Sequence, residues 1–247
     1  MRFIPTTTLL IALIGLFALA QPTLAADTDG DGLSDELELL YQTDSTQADT
    51  DGDGFSDWLE IFHGYSPLHA EPIRLSSLDS DNDGAPDSWE IRLGLNLHNP
   101  DTDGDGYLDG QEIFAGFDPA DPAPKQKDKR IVVDIKSQTL TYYFDNIQLE
   151  HFKISGGVAS MPTPQGEFAV LDKVPVKRYG GPGFNFDYPN TKWNLHFTTD
   201  YWRYYIHGAY WHDNFGTPMS HGCVNVAYNQ MERLFNFAEI GTPVEIS

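Results

Sequence analysis

The sequence predicts a mainly β domain over residues 130–247, of β-sandwich-like form with one covering helix, preceded by an irregular repeat array with short helices over residues 27–121. The first region holds four copies of one acidic loop. The second holds apolar residues that alternate with polar ones at a period of two, as in half-buried strands. Charge divides the chain at the same place: residues 27–124 hold 25 acidic and 2 basic residues, whereas residues 125–247 hold 12 of each. The two regions are therefore predicted to differ in fold and in function.

Composition excludes several classes of protein. The formal net charge of −22 argues against nucleic acid as a partner, because an anionic surface repels phosphate. The apolar content of 40% excludes a chain that is disordered throughout. The only cysteine, Cys223, cannot form an internal disulfide or a cysteine-rich zinc ribbon.

The first 26 residues have the pattern of a secretory signal peptide. Arg2 precedes an apolar run from Leu9 to Ala20, and small residues follow at Ala25 and Ala26. The run is shorter than the roughly 20 apolar residues that a membrane-spanning helix needs. We therefore predict export across the inner membrane, cleavage near residue 26, no remaining membrane span, and a location in the periplasm or cell wall.

The acidic region repeats a twelve-residue loop with a carboxylate at positions 1, 3, 5, 9 and 12 and glycine at position 6. The loop starts are separated by 22, 30 and 22 residues, which predicts two pairs. The carboxylates at these positions are Asp27, Asp29, Asp31, Asp35, Glu38, Asp49, Asp51, Asp53, Asp57, Glu60, Asp79, Asp81, Asp83, Asp87, Glu90, Asp101, Asp103, Asp105, Asp109 and Glu112.

This spacing is that of a calcium loop, in which side chains at positions 1, 3 and 5 converge and a glutamate at position 12 completes the oxygen shell. We predict that all twenty carboxylates hold structural Ca²⁺. A solvated acidic tail is the alternative, but it needs neither a fixed period nor glycine at a fixed position. Pro86, at position 8 of the third loop, lacks an N–H, so we expect weaker binding there.

A short apolar helix is predicted after each loop, and three of these helices end in a glycine: Gly64, Gly94 and Gly116. These loop–helix units resemble the bacterial thrombospondin type 3 repeat over residues 27–121. The resemblance implies a calcium-dependent spacer or docking module, with wall or envelope proteins as candidate partners. Residues 122–129, rich in proline and then in charge, predict a semi-rigid linker.

Strands are predicted in the second region from Ile131, Leu140 and Ile147, then over residues 167–171, and again near residues 193–197 and 204–206. Residues 180–189 predict a long loop. One helix is predicted at about residues 229–239, followed by a last strand that ends at Ile246.

Chemically active residues concentrate between residues 206 and 225, which hold the only cysteine and three of the eight histidines. A cysteine nucleophile needs a nearby base. His221 is too close along the strand for a straight hydrogen bond to Cys223, whereas His207 can approach from a neighbouring strand. We predict Cys223 as the nucleophile and His207 as its base, with backbone amides around Gly222 and Cys223 able to hold an oxyanion.

The segment from Ser220 to Asn225, with an upstream His-Gly pair, resembles the catalytic motif of bacterial L,D-transpeptidases over residues 130–247. The twelve residues between His207 and Ser220 make a shorter gap than is common in that family. The resemblance implies catalytic roles for Cys223 (nucleophile), His207 (proton donor and acceptor), His221 and Gly222, and substrate contacts for Ser220, Asn225 and Gly208.

Members of this family attack the peptide bond before the terminal D-Ala of a peptidoglycan tetrapeptide stem. They release D-Ala, hold the acyl group as a cysteine thioester and pass it to an amine, without a cofactor for catalysis. Carbapenems acylate the same cysteine. The resemblance therefore implies peptidoglycan stem peptides as partners of the second region.

The same residues fit other interpretations. His207, His212, His221 and Cys223 are a conceivable zinc set. Tryptophans 193, 202 and 211 and tyrosines 201, 204, 205 and 210 are conceivable carbohydrate platforms. An L,D-carboxypeptidase or endopeptidase would use the same cysteine, with water as the acceptor of the acyl group. A calcium-dependent wall-binding protein without catalytic activity is a further alternative.

Overall fold

The computed structural model describes residues 25–181, 186–199 and 203–247. Most of the predicted signal peptide, Tyr201, Trp202 and the middle of the predicted loop at residues 180–189 lie outside the described residues. The helices are α1 (Asp35–Tyr41), α2 (Asp57–His63), α3 (Asp87–Leu93), α4 (Asp109–Ala115) and α5 (Tyr228–Phe237), with a 3₁₀ turn at Leu75–Ser77. The strands are β1 (Lys129–Asp134), β2 (Thr139–Phe144), β3 (Ile147–Lys153), β4 (Gly166–Ala169), β5 (Asp172–Gly180), β6 (Asp187–His196), β7 (Tyr205–Gly208), β8 (Val224–Val226) and β9 (Pro243–Ile246).

Each acidic loop leads into a helix of seven residues that begins at loop position 9. Helices α2, α3 and α4 end at the predicted glycines, which take up left-handed backbone conformations that cost glycine little. Gln42 holds the same position after α1. The repeat region is thus an array of loops and short helices, as the sequence predicts.

The four loops form two pairs, and the same hydrogen bond joins each pair. The backbone N–H of Trp58, at position 10 of the second loop, donates to Asp31 Oδ2 at position 5 of the first, at 2.8 Å. The N–H of Gly110 donates to Asp83 Oδ2 in the same way, at 2.6 Å. A Cβ atom on Gly110 would lie 2.7 Å from the carbonyl oxygen of Asp83, so only glycine allows the second pair to approach this closely.

The second region contains two sheets with α5 over them, which confirms the predicted fold class. One sheet has the strand order β3-β2-β1-β9-β4 and the other β5-β6-β7-β8. Strands β7 and β8 are parallel, with His207 beside Asn225. Helix α5 buries Met231, Leu234 and Phe237 against the sheets.

Strand β5 is a difference from the sequence prediction, which placed no strand at residues 172–180. Its pattern contains Pro175 and several charges, and such a pattern does not indicate a central strand. The strand lies at the edge of its sheet, where a proline N–H is not needed. Its pairing with β6 continues to Gly180 opposite Asp187, so both ends of the predicted long loop belong to strands.

The repeats and the β domain share one hydrophobic core. The side chain of Trp89, in α3, is fully buried, with its ring centroid 5.9 Å from that of Tyr142 and 6.2 Å from that of Phe237. Its indole N–H donates to Glu150, and the same carboxylate oxygen is bound by Arg233 at 2.6 Å. The second pair of loops is thereby fixed to β2, β3 and α5.

The segment predicted as a linker is also held in place. Gln126 pairs with Phe117 in an antiparallel bridge, and Lys127 forms an ion pair of 2.9 Å with Asp118. Lys129 is 8% exposed, and its ammonium donates to the backbone oxygens of Phe114 and Phe237. This segment therefore connects the two regions through fixed contacts.

Replacing Trp89 with alanine should destabilise the protein by about 3–5 kcal/mol, because the substitution leaves a large cavity in the shared core. The free energy of unfolding from urea titration of the full chain measures this effect. As a control, Phe62→Ala removes an aromatic ring that is 68% exposed and should cost less than about 1 kcal/mol. Equal effects of the two substitutions would contradict the shared core.

Candidate active site and acidic loops

Five of the seven predicted site residues line one pocket of about 80 Å³ on the four-stranded sheet, and Gly208 and Gly222 do not. Cys223 directly precedes β8, and His207 lies in the neighbouring strand β7. The pocket is lined by Tyr179, Phe186, Tyr188, His207, Trp211, Met219, Ser220, His221, Cys223 and Asn225. The fold therefore brings the predicted nucleophile and its predicted base to the same small cavity.

His207 is positioned by its own strand and by an aromatic neighbour. Its Nδ1 donates to the carbonyl oxygen of Gly208 at 2.9 Å, which leaves Nε2 free to accept a proton. The ring of Tyr179 stacks on the imidazole with a centroid distance of 4.4 Å. His207 is only 3% exposed, and desolvation lowers its pKa to about 4. The imidazole is therefore neutral at pH 7 and can act as a base.

Cys223 is partly exposed at the pocket. Desolvation raises the pKa of its thiol to about 11, although the backbone N–H of Tyr205 and the charge of Lys177 act in the opposite direction. The resting pair is therefore a thiol and a neutral imidazole. Such a pair ionises only when the imidazole removes the proton during attack, unlike an imidazolium–thiolate pair.

Hydrogen bonds around the cysteine fix the local backbone. The hydroxyl of Ser220 donates to the carbonyl oxygen of Cys223 and accepts from the N–H of Gly222 at 3.1 Å. Gly222 has φ of +110°, and a Cβ there would lie 2.3 Å from the ring of Tyr204. Glycine is thus required at this position. Because the hydroxyl of Ser220 holds the N–H of Gly222, this amide is already engaged.

His221 and Asn225 differ in their surroundings. His221 is exposed, and its ring stacks on Phe186 with a centroid distance of 4.9 Å. Asn225 is buried, exchanges two backbone hydrogen bonds with Ser155, and places its side-chain amide nitrogen 3.1 Å from Nε2 of His212. His221 thus forms part of the pocket rim, while Asn225 lies beside His207, the predicted base.

Several pocket residues were absent from the sequence prediction. Tyr179 lies in the edge strand that the sequence did not indicate. Tyr188 stacks on Trp211 at a centroid distance of 3.9 Å and so closes one side of the pocket. Trp211 was predicted only as a conceivable platform. In contrast, Trp193 packs against Tyr228 rather than lining the pocket. Their roles depend on pairing between distant strands, which local patterns do not reveal.

In each acidic loop, the aspartates at positions 1, 3 and 5 have carboxylate oxygens within 4.8 Å of one another. Among the described residues, these four trios are the groups of His, Cys, Asp or Glu with metal-binding geometry. The zinc set considered above, His207, His212, His221 and Cys223, is not among them. In all four loops, one oxygen at position 3 and at least one at position 12 are buried without a hydrogen-bond donor. Buried unpaired carboxylate oxygens of this kind fit a cation.

Burial and neighbouring aspartates raise the pKa of each position 12 glutamate. The values are about 7 for Glu38 and Glu112, about 8 for Glu60 and about 9 for Glu90. The third loop is the most enclosed, since Glu90 is fully buried and neither of its carboxylate oxygens has a donor. A bound cation would replace the proton that such a carboxyl otherwise retains.

The carboxylate at position 9 has a different partner from the other four. In each loop its two oxygens accept from the backbone N–H and the hydroxyl of the residue at position 2, at 2.6–2.9 Å. Asp35, Asp57, Asp87 and Asp109 thus tie the start of each helix to the start of its loop. The prediction that all five carboxylates of a loop are ligands therefore differs from the structure at position 9, whose two oxygens already have donors. The buried oxygens without a donor lie at positions 3 and 12.

Pro86 does not weaken the pairing of the third loop. The N–H that bridges paired loops comes from position 10 of the partner loop, as in the bond from Gly110 to Asp83. Position 8 plays no part in that bond, so proline is tolerated there. Weaker calcium binding by the third loop stays a prediction, which the missing N–H at position 8 does not support.

Comparison with known protein families gives two matches. Residues 128–246 match the family model of the L,D-transpeptidase catalytic domain. Residues 27–48, 49–64, 79–94 and 101–122 match that of the bacterial TSP3 repeat. Comparison with curated protein sequences found no match.

Solved structures similar to the chain include three L,D-transpeptidases. One from Mycobacterium smegmatis is 26% identical, with 50% of this chain and 60% of that chain covered and a TM-score of 0.46. L,D-transpeptidase 3 from Mycobacterium tuberculosis is 22% identical, with 50% and 62% covered and a TM-score of 0.46. The catalytic domain of the Enterococcus faecium enzyme, solved by NMR, is 30% identical, with 49% and 97% covered and a TM-score of 0.43. The chain spans about three fifths of the length of the two mycobacterial proteins.

The rate of alkylation of Cys223 by iodoacetamide in the free protein should rise about tenfold per pH unit from pH 6 to pH 9. A thiol with a pKa of about 11 loses its proton only above this range, so the thiolate fraction keeps increasing across it. Mass spectrometry measures the rate without ambiguity, because the chain has one cysteine. A rate that is constant between pH 6 and pH 9 would indicate a standing thiolate and contradict the neutral pair.

Proposed function

Because residues 128–246 belong to the L,D-transpeptidase catalytic domain family and follow four bacterial TSP3 repeats, we propose that this protein is a cysteine-dependent L,D-transpeptidase. It acts outside the cytoplasm on peptidoglycan stem peptides, and its repeats bind calcium. The observation that carries the catalytic proposal is the neutral, buried His207 at the same pocket as the only cysteine.

The first half of the reaction forms a thioester. As the sulfur of Cys223 attacks the carbonyl carbon of the L,D bond before the terminal D-Ala, Nε2 of His207 takes the thiol proton. The resulting tetrahedral intermediate collapses with cleavage of the C–N bond. His207 then donates its proton to the leaving amine, and D-Ala departs. The backbone carbonyl of Gly208 stabilises the transient imidazolium through its hydrogen bond to Nδ1.

The second half transfers the acyl group. An amine from a second stem or a protein attacks the thioester carbon, and His207 removes a proton from it. The C–S bond then breaks, and the sulfur takes the proton back from the imidazolium. The negative charge that develops on the carbonyl oxygen in both halves is assigned to the backbone N–H of Cys223, because that of Gly222 is already bound to Ser220.

Each acidic loop holds one Ca²⁺ in this proposal. Positions 1, 3, 5 and 12 supply the side-chain oxygens, and position 9 keeps the loop closed. The cation would supply the positive charge that the buried, donor-free oxygens of the loop lack. Its effect extends to the catalytic domain, because Glu90 and Trp89 are consecutive residues of α3 and the second is part of the shared core.

Export is proposed from the N-terminal sequence pattern. Among the described residues, no helix combines the length and the apolar character that crossing a membrane requires. Both the wall substrate and the millimolar calcium that extracellular modules use would be met outside the cytoplasm.

Incubation of the full chain with disaccharide tetrapeptides should yield cross-linked dimers and free D-Ala, detected by mass spectrometry. Cys223→Ala should abolish both products, since the thioester cannot form. His207→Gln should lower the rate by about 10²–10⁴-fold, the usual contribution of a general base. A variant of the exposed rim residue, His221→Gln, is the matched control and should retain far more activity than His207→Gln.

Three outcomes would contradict parts of this proposal. Tripeptides without dimers would indicate hydrolysis in place of transfer. Full activity in Cys223→Ala would exclude the thioester. No turnover and no acylation of the thiol by a carbapenem would favour a non-catalytic wall-binding protein.

Calcium should raise the thermal unfolding midpoint of the whole protein, and Glu90→Gln should remove much more of this gain than Glu60→Gln. The reason is that the third loop carries Trp89 in the shared core, whereas the second loop lines an open surface pocket. Calorimetry with calcium and with a chelator measures the midpoint, and titration calorimetry counts the ions bound. Each variant should lose about one ion. Equal midpoints for the two variants in calcium would contradict the coupling.

A further inference from the structure

Lys177 lies close to the catalytic residues but has no role in the chemistry described above. It precedes Tyr179 by two residues in the edge strand β5. Its ammonium nitrogen lies 5.7 Å from the ring centroid of Tyr179 and 5.1 Å from that of Tyr205. Tyr179 in turn stacks on His207. The ammonium therefore lies beside the aromatic residues that surround the catalytic pair.

Two arginines near Lys177 are paired with carboxylates, whereas Lys177 is not. Arg178 binds Asp187 at 2.7 Å, and Arg203 lies 3.6 Å from Asp172. Within the described parts of the chain, no carboxylate oxygen lies within 4.0 Å of the ammonium of Lys177. Two aromatic rings attract a cation but do not cancel its charge. The half-buried ammonium thus retains a positive charge that an incoming anion can meet.

Activation of the thiol does not account for this charge. Lys177 is near enough to favour the thiolate of Cys223, but desolvation outweighs it and the pKa of the thiol stays raised. A cation placed to ionise the nucleophile would need to overcome that desolvation. The charge is therefore available for a group of the substrate.

We propose that Lys177 binds the terminal carboxylate of the donor peptide. This inference rests on the proposed function, in which the scissile amide nitrogen belongs to the terminal D-Ala. In that residue the carboxylate carbon is two bonds from the amide nitrogen, so a peptide attacked by Cys223 brings its carboxylate close to the thiol. Lys177 is then a specificity residue that selects peptides ending one residue after the scissile bond.

The test compares two synthetic tetrapeptide stems that differ only at the end, one with a free carboxylate and one with a carboxamide. Mass spectrometry follows release of D-alanine or D-alaninamide and gives kcat and KM for each. The wild-type protein should prefer the carboxylate by about 10- to 100-fold in kcat/KM, the range of a charge-assisted hydrogen bond. Most of this preference should lie in KM.

Lys177→Met should bring the ratio of the two kcat/KM values close to one, and Lys177→Arg should restore most of the preference. Lys192→Met, which removes an ammonium lying over Trp193 in the next strand, is the matched control and should keep the wild-type ratio. The thermal unfolding midpoint of each variant checks that the fold is intact.

Two results would overturn the inference while leaving the proposed function intact. One is a wild-type protein that acts equally on both peptides. The other is a Lys177→Met variant that loses activity on both peptides in equal proportion. If the wild-type protein acts on neither peptide, the proposed function fails and the inference fails with it.

Discussion

The structure depends on two consecutive residues of α3, one apolar and one ionisable, whose side chains are both fully buried. Trp89 is fully buried in the core that the repeats share with the β domain, and Glu90 is fully buried in the third acidic loop. The indole contributes apolar area, whereas the carboxylate needs a counter-charge to remain ionised at that depth. The same short helix must satisfy both. The placement of the repeats on the β domain therefore depends on what occupies the third loop.

Helix α5 connects this junction to the candidate active site. Near its end, Phe237 contacts the ring of Trp89. At its start, Tyr228 fills the space beside Gly208, where a Cβ would lie 2.4 Å from the tyrosine ring. Gly208 supplies the carbonyl that orients His207. One helix thus packs on the acidic repeats at one end and, at the other, against the backbone beside His207, the proposed base.

Much of the chemistry was predictable because it lies in local patterns. The spacing of the acidic loops, their glycines and the segment around Cys223 are fixed by short stretches of sequence, and the loop pairs followed from the 22- and 30-residue intervals. The pocket walls were not predictable, because Tyr179 comes from an edge strand whose Pro175 and charges hide its pairing. The contacts that hold residues 122–129 were not predictable either, because their partners are distant in sequence. The hydrogen bonds of the position 9 aspartates depend on loop geometry that residue spacing alone does not give.

We propose that the repeats and the β domain form one cooperative unit whose integrity depends on calcium. Hydrogen–deuterium exchange of the full chain, with calcium and with a chelator, tests it directly. Removal of calcium should raise exchange in α3 and, together with it, in α5 and β2. Faster exchange confined to the acidic loops, with α5 and β2 unchanged, would contradict it.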